Sequence, residues 1–226
     1  MTVVNPVIYV TRGEMPDEFE VKRREWYKAK HSTDVVGVGF WSARGYRCQT
    51  KPRNFNIYEL PSADILSSDA YMNMRKADTF SPTVMKTFEY ISAAIYTQVS
   101  VEDAQGNPLE NVPSVRGPVL VMLNFDTEES EDKIRSWFED DVVKSHRNTN
   151  GVRTFRLWEQ RAAHPLFPPK EPRWCAAVEW AQDPGETKKR LYDAATSSKV
   201  KLTNVRPDIA TKWYGLVRED IFESAG

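Results

Sequence analysis

Apolar and polar positions change rhythm along this chain in an order that occurs twice. Val7-Ile8-Tyr9-Val10-Thr11 is a β-branched and aromatic run closed by Arg12-Gly13, which predicts a first strand. Pro16-Asp17 then opens a helix, with Asp17, Glu18 and Glu20 at the positive end of its dipole. On that helix Phe19, Arg23, Tyr27 and His31 share one stripe at four-residue spacing, with Trp26 beside it. Gly37 and Gly39 end the segment, and Phe40 to Tyr46 alternates as a second strand. A turn at Lys51-Pro52-Arg53-Asn54 leads into a third strand, Phe55 to Leu60, which Pro61 stops. Ser67-Ser68-Asp69 caps a second helix through Tyr71, Met74 and Arg75, and Ile91 to Val101 is a fourth strand.

The order then repeats. Val119 to Phe125, a helix from Glu128 to about Lys144, Val152 to Trp158, Trp174 to Trp180, a helix from Pro184 to Thr196, and Lys212 to Arg218 follow in turn. Paired landmarks drift from an offset of 111 (Trp26, Trp137), through 112 (Gly39, Gly151; Arg44, Arg156), to 121 (Tyr71, Tyr192). Such a long period marks a duplicated domain rather than a solenoid unit. Each half has the β-α-β-β-α-β order of a ferredoxin-like unit. The expected organisation is a first repeat at 1–103, a linker at 104–117 rich in Gly and Pro, and a second repeat at 118–226. An antiparallel sheet with helices on one face leaves its other face bare, so two such sheets in one chain can cover each other. The expected fold is therefore α+β: a two-domain barrel, a pseudo-dimer in one polypeptide. Arg161 to Pro172, with its prolines, is expected to be a long loop.

Composition narrows the function. The chain has 226 residues, 40% hydrophobic and 28% charged, as in ordinary soluble globular proteins. Its 31 basic and 32 acidic residues are interspersed and leave a net charge of −1, with no footprint for nucleic acid. No apolar run is long enough to span a membrane, and no secretory leader is evident, so a cytoplasmic location is expected. Cys48 and Cys175, one in each half, have neither disulfide-framework nor zinc spacing and are expected to be free, partly buried thiols. Three His without ligand spacing make a metal site improbable, and nucleotide-binding and serine-hydrolase patterns are absent. Aromatic residues at 12%, including seven Trp, suit a pocket for a flat apolar ligand.

One phrase in the first half is more specific. It runs Phe19, Trp26-Tyr27, His31, Asp34-Val35-Val36, Val38-Gly39-Phe40, Arg44 and Tyr46, then Tyr58-Glu59-Leu60 and Leu66-Ser67-Ser68 before Tyr71. It resembles the EthD-like branch of the dimeric α+β barrel superfamily, over most of the first half. Val38 stands where the family often has Pro. In the second half only the scaffold positions match, and the slot read against His31 holds Asp141. The resemblance implies a cleft for a small, often cyclic or aromatic molecule and, in many relatives, cofactor-free chemistry; others in the superfamily bind haem.

Because His31 is kept in one half only, it is the first catalytic candidate. A helix C-terminus raises an imidazole's proton affinity and an apolar pocket lowers it, so His31 suits general acid/base work near neutrality. Asp34, three residues on, is placed to hold its tautomer. Tyr27, one turn earlier, is placed to donate to a developing enolate oxygen. Substrate-binding candidates are Arg44, Tyr46, Trp41, Tyr9, Tyr58 and Tyr71, with Tyr96, Trp213 and a lid role for His164 behind them. Arg44 and Arg156 recur in both halves and alternatively pair with Glu59 and Glu179 across neighbouring strands. The expected function is a cofactor-independent lyase, dehydratase, isomerase or decarboxylase acting on a small hydrophobic cyclic or aromatic metabolite. The alternatives are a cofactor-free or haem-linked monooxygenase and a non-catalytic ligand-binding module. The chain is expected to be a monomeric pseudo-dimer or a homodimer.

Overall fold

A computed structural model describes residues 5–78 and 81–218. Eight antiparallel strands close into one barrel: β1 (Val7–Glu14), β2 (Ser42–Cys48), β3 (Asn54–Leu60), β4 (Tyr90–Asp103), β5 (Val119–Asp126), β6 (Val152–Ala163), β7 (Trp174–Trp180) and β8 (Thr203–Val217). Around the barrel they run β1-β3-β2-β8-β5-β7-β6-β4. Closure depends on the two long strands. β4 pairs with β1 through Tyr90–Tyr96 and with β6 through Ala94–Asp103. β8 pairs with β5 through its first part and with β2 through its second. Each long strand thus binds its own half first and the other half next, which removes every free edge. β8 begins nine residues before the Lys212 expected from the sequence, because Thr203 to Thr211 pair with β5 although Pro207 breaks their pattern.

Helices cover the outer face. In the first half they are α1 (Asp17–Trp26), α2 (Ser32–Gly37), α3 (Asp69–Ala77) and α4 (Ser81–Met85). In the second they are α5 (Glu131–Trp137), α6 (Lys144–His146) and α7 (Thr187–Ser197). Between α1 and α2, Tyr27–His31 form a π-helical turn, and Phe138–Val143 form another between α5 and α6. These wider turns replace the continuous α-helices expected from the sequence, and they change which residues face inward.

Period-two alternation decides the two faces of the barrel wall. Ile8, Val10, Tyr46, Phe55, Ile57, Leu120, Met122, Trp158 and Ala177 fill an interior drawn from both halves. Cys48 and Cys175 belong to this interior, fully buried rather than partly, and both are free. At one end of the interior two ion pairs stand nearly water-free: Arg44 Nη1 lies 2.6 Å from Glu59 Oε2, and Arg156 Nε 2.5 Å from Glu179 Oε1. Cross-strand pairing, one of the two roles expected for these arginines, is what the geometry shows.

The segment expected to be a linker closes that end. Val112, Ser114 and Val115 are buried. The backbone N–H of Val115 donates to Glu59, and those of Arg116 and Gly117 donate to Glu179. Arg44 donates to the Ser114 hydroxyl and Arg156 to the carbonyl of Pro113. Residues 112–117 are a plug rather than a tether, because they supply the donors and acceptors that the two buried pairs still need.

Gly45 on β2 shows how tightly the outer face is packed. A Cβ there would stand 2.3 Å from Cζ2 of Trp213. Gly45→Ala is expected to cost about 1–3 kcal/mol, read as a lower midpoint in thermal or denaturant unfolding. Trp213 packs edge-on against Tyr27 at 5.4 Å, so the same change should disturb the site described next.

Candidate functional site

The site lies between the outer face of the first-half sheet and its helices, a position set by strand parity. Tyr9 and Thr11 of β1 and Asn56 and Tyr58 of β3 point outward; α1, the π turn and α3 carry Arg23, Trp26, Tyr27, His31, Tyr71 and Arg75 over them. Together they line a cavity of about 80 Å³, walled elsewhere by apolar residues including Phe40, Val84 and Phe88. Phe167 reaches it from the loop after β6. Among the described residues no carboxylate lines it.

The π turn sets the inner face. Its wider winding brings residues five apart onto one side, so Trp26 and His31 meet with ring centroids 4.5 Å apart. Tyr27 is buried and lies 5.4 Å from His31. Phe19, expected on the same stripe, is turned out and 39% exposed. His31 Nε2 sits 3.2 Å from the Tyr58 hydroxyl. Tyr58 stacks on Tyr9 at 5.1 Å, and Phe40 packs edge-on against Tyr58 and flat against Tyr71.

His164, from the proline-rich loop, stacks on Tyr9 at 5.1 Å and on Phe167 at 5.2 Å. Its Nδ1 accepts the backbone N–H of Leu166, which leaves the neutral ring's Nε2–H for the Tyr71 hydroxyl 3.4 Å away. The loop itself begins after Ala163, since β6 extends through the start expected at Arg161.

Tyr9, Tyr27, Tyr58, Tyr71 and His31 come together as expected. Three expectations are corrected. Asp34 does not engage His31; it pairs with Lys30 one turn back on the exposed side. Arg44 and Tyr46 point into the barrel, on the opposite side of the sheet from the cavity, where Tyr46 donates to the carbonyl of Gly117. Trp41 is not among the lining residues, and Tyr96 lies inside the barrel. Arg23, Arg75, Asn56 and Phe167 are additions. Arg23 was legible only as part of a stripe, and the others have no local signal, since Phe167 and Arg75 meet only through the fold.

Desolvation is the main influence on titration here. It pushes His31 down to about 3, reinforced by the charges of Arg23, Arg75 and Lys30 and opposed by Asp34. Burial raises Tyr9, Tyr27 and Tyr58, so these phenols stay protonated and can donate. Burial lowers His164 to about 4, with Arg75 adding to it, and also lowers His146. A histidine whose folded-state pKa lies below its unfolded value, about 6.5, takes up its proton on unfolding. Its stabilising contribution is complete above about pH 6.5 and is lost as pH falls toward the folded-state value. The melting temperature is therefore expected to drop between pH 6.5 and about 4, and His31→Ala with His164→Ala should flatten that slope in pH-resolved unfolding.

The second half has the same element order without these side chains. Tyr9 and Tyr58 are cross-strand partners in the first half, and Val121 and Val178 are partners at the matching place in the second. Phe138 stands for Tyr27. The residue five after Trp137 is the fully buried Val142, so Val142 and not the exposed Asp141 takes the place of His31. Phe125, Trp137, Trp174 and Leu191 fill the space between that sheet and its helices.

Among the described residues no cluster of His, Cys, Asp or Glu could hold a metal ion, and no helix is long and apolar enough to cross a membrane. No protein-family model matches the chain, and no curated protein matches it. Solved structures do. An anthrone oxidase-like protein superposes with a TM-score of 0.64 at 12% identity, over 94% of this chain and 93% of its own. A "putative monooxygenase" of Fusobacterium nucleatum gives 0.60 at 13% identity, over 96% of each chain. Another, of Lactobacillus acidophilus, gives 0.58 at 9%, over 95% of this chain and 97% of its own. These neighbours are dimeric α+β barrel proteins, and this chain has their fold. Identities this low carry the fold alone.

Proposed function

We propose that this chain is an enzyme that moves a proton on a small, single-ring or smaller enolisable or phenolic substrate, with His31 as the base. The observation that carries this reading is the neutral His31 ring held against Tyr58 in a tyrosine-rich cavity that the second half replaces with hydrocarbon. Tyr27 and Tyr58, kept protonated by burial, stand ready to donate to the oxygen on which charge develops. We further propose that the chain is a tandem duplication of an EthD-like unit, with repeats at 1–103 and 118–226, in which one site was kept. After proton removal the substrate anion can eliminate, rearrange or decarboxylate.

Size limits the choice. About 80 Å³ is near half of the ~150 Å³ that accepts benzene in a dry engineered cavity, so the site must widen even for a single ring, which favours small ligands over polycyclic ones. A second reading, attack of the substrate anion on molecular oxygen without a cofactor, draws on the names carried by the structural neighbours.

The deciding experiment is solvent deuterium exchange into single-ring ketones and phenols in deuterated buffer, run without oxygen. Exchange by the wild type and its loss in His31→Gln is the expected result. No exchange above buffer with any compound would sink the proton-transfer reading. Oxygen consumption on readmitting air then separates the oxygenase branch from elimination and isomerisation.

A further inference from the structure

The cavity has an electrostatic character that its aromatic lining hides. Among the described residues two guanidinium groups border it and no carboxylate does. Arg23 is 2% exposed. Its one side-chain hydrogen bond among the described residues goes to a neutral group, from Nη2 to Asn54 Oδ1 at 2.8 Å, and its Nε is buried without a partner. Arg75 lies over the rings of Tyr71 and Phe167 at 5.8 and 5.4 Å and donates to the Tyr71 hydroxyl at 3.4 Å. Of the carboxylates nearby, Glu20 pairs with Arg24 and Arg47 and Asp34 with Lys30, and the buried Asp78, three residues after Arg75, does not line the cavity. One further buried polar atom of the lining, Asn56 Oδ1, has no hydrogen-bond partner among the described residues. Burying a cation without a counter-charge is costly, and proteins keep such an arrangement where an anion completes it.

From this we infer that the cavity binds a small organic anion, a carboxylate or a phenolate, with Arg23 and Arg75 supplying the counter-charge and Tyr27 a hydrogen bond. The inference rests on the proposed function in one respect, that the ligand is the substrate of that same site. It also gives His31 a role that depends on the ligand. The two arginines depress the proton affinity of the empty site's imidazole, and a bound anion offsets them. Substrate charge therefore turns His31 into a better base at the moment it is needed. Trp26, on the cavity wall, offers a fluorescence signal for binding.

The test is equilibrium binding, by tryptophan fluorescence, of benzoate against its neutral counterpart benzamide, together with the absorbance spectrum of bound 4-nitrophenol. Benzoate is expected to bind at least about tenfold more tightly than benzamide. Arg75→Gln and Arg23→Met should each remove most of that preference while leaving benzamide unchanged. Arg23 is buried, so if its variant does not fold, the half-exposed Arg75 keeps the test decisive. A benzoate preference with 4-nitrophenol bound as the neutral phenol assigns a carboxylate ligand. Capture of 4-nitrophenol as its anion, well below the pH at which it ionises in solution, with no benzoate preference, assigns a phenolate. Both together also support the proposal. Equal or absent binding of charged and neutral probes, or preference unmoved in Arg75→Gln, overturns it. His31→Ala separates the two readings. Lost deuterium exchange with no charge preference leaves the catalytic reading and removes this one, and the opposite pattern does the reverse.

Discussion

Glu59→Ala is expected to lower the melting temperature by roughly 10 °C or to prevent folding, the largest stability effect of any single change considered for this protein. Glu59 is wholly buried and accepts from Arg44, the hydroxyls of Ser42 and Ser114 and the backbone N–H of Val115. Removing it strands the guanidinium of Arg44, which is 1% exposed, and frees the plug at 112–117 from one of its two anchors. Breaking one side of a buried pair typically costs about 3–5 kcal/mol, and a chain of this size loses about 2–4 °C per kcal/mol. Arg44 holds the Glu59 carboxyl below its usual range, with the serine donors adding to this, although burial works in the opposite direction. The double change Arg44→Met, Glu59→Leu removes both charges together and should recover most of the loss. Calorimetry of the single and double variants checks this, and additive losses would mean that the pair contributes nothing as a unit.

His31→Ala is expected to reduce turnover about 10²–10⁴-fold, the usual contribution of a positioned general base, while the protein still unfolds cooperatively. The pH profile gives a sharper check. Since His31 is pushed down to about 3 in the free protein, kcat/KM should show no acid limb near 6.5; its fall should come only toward pH 3–4 or with loss of the fold. The limb in kcat, which reports the bound complex, should lie higher if the ligand is an anion. A limb near 6.5 in both parameters would identify a different base. Tyr58→Phe removes the hydroxyl 3.2 Å from Nε2 and should lower turnover less than His31→Ala, because Tyr27 remains.

Strand order, the twofold recurrence and the pairing of Arg44 with Glu59 and Arg156 with Glu179 were legible in the chain, because each rests on short-period alternation or on landmarks of rare residue type. The grouping of His31 with Tyr27, Tyr58 and Tyr71 was legible from the motif they share, and Tyr9 only as an aromatic of the first strand. Asp34 was misplaced because helical spacing alone treats residues three and four away alike, and Lys30 competes for it at four. Arg44 and Tyr46 were misassigned for a related reason. Alternation says that they share a face but not which face, and only closure of the barrel makes that face the inside.

Residue types and their periods were enough to determine eight strands and two helical layers. Three features were settled only by the folded chain. The π turns re-aim Trp26 and His31, since their wider winding is set by packing against the sheet and leaves no mark on composition. The segment 112–117 is a plug because two buried carboxylates need donors that only a returning backbone supplies. The charge of the cavity comes from Arg23 and Arg75, ordinary helical residues in sequence, which the fold brings to one wall where no carboxylate stands among the described residues. Electrostatic character depends on which groups are absent from a space, and a linear chain does not define that space.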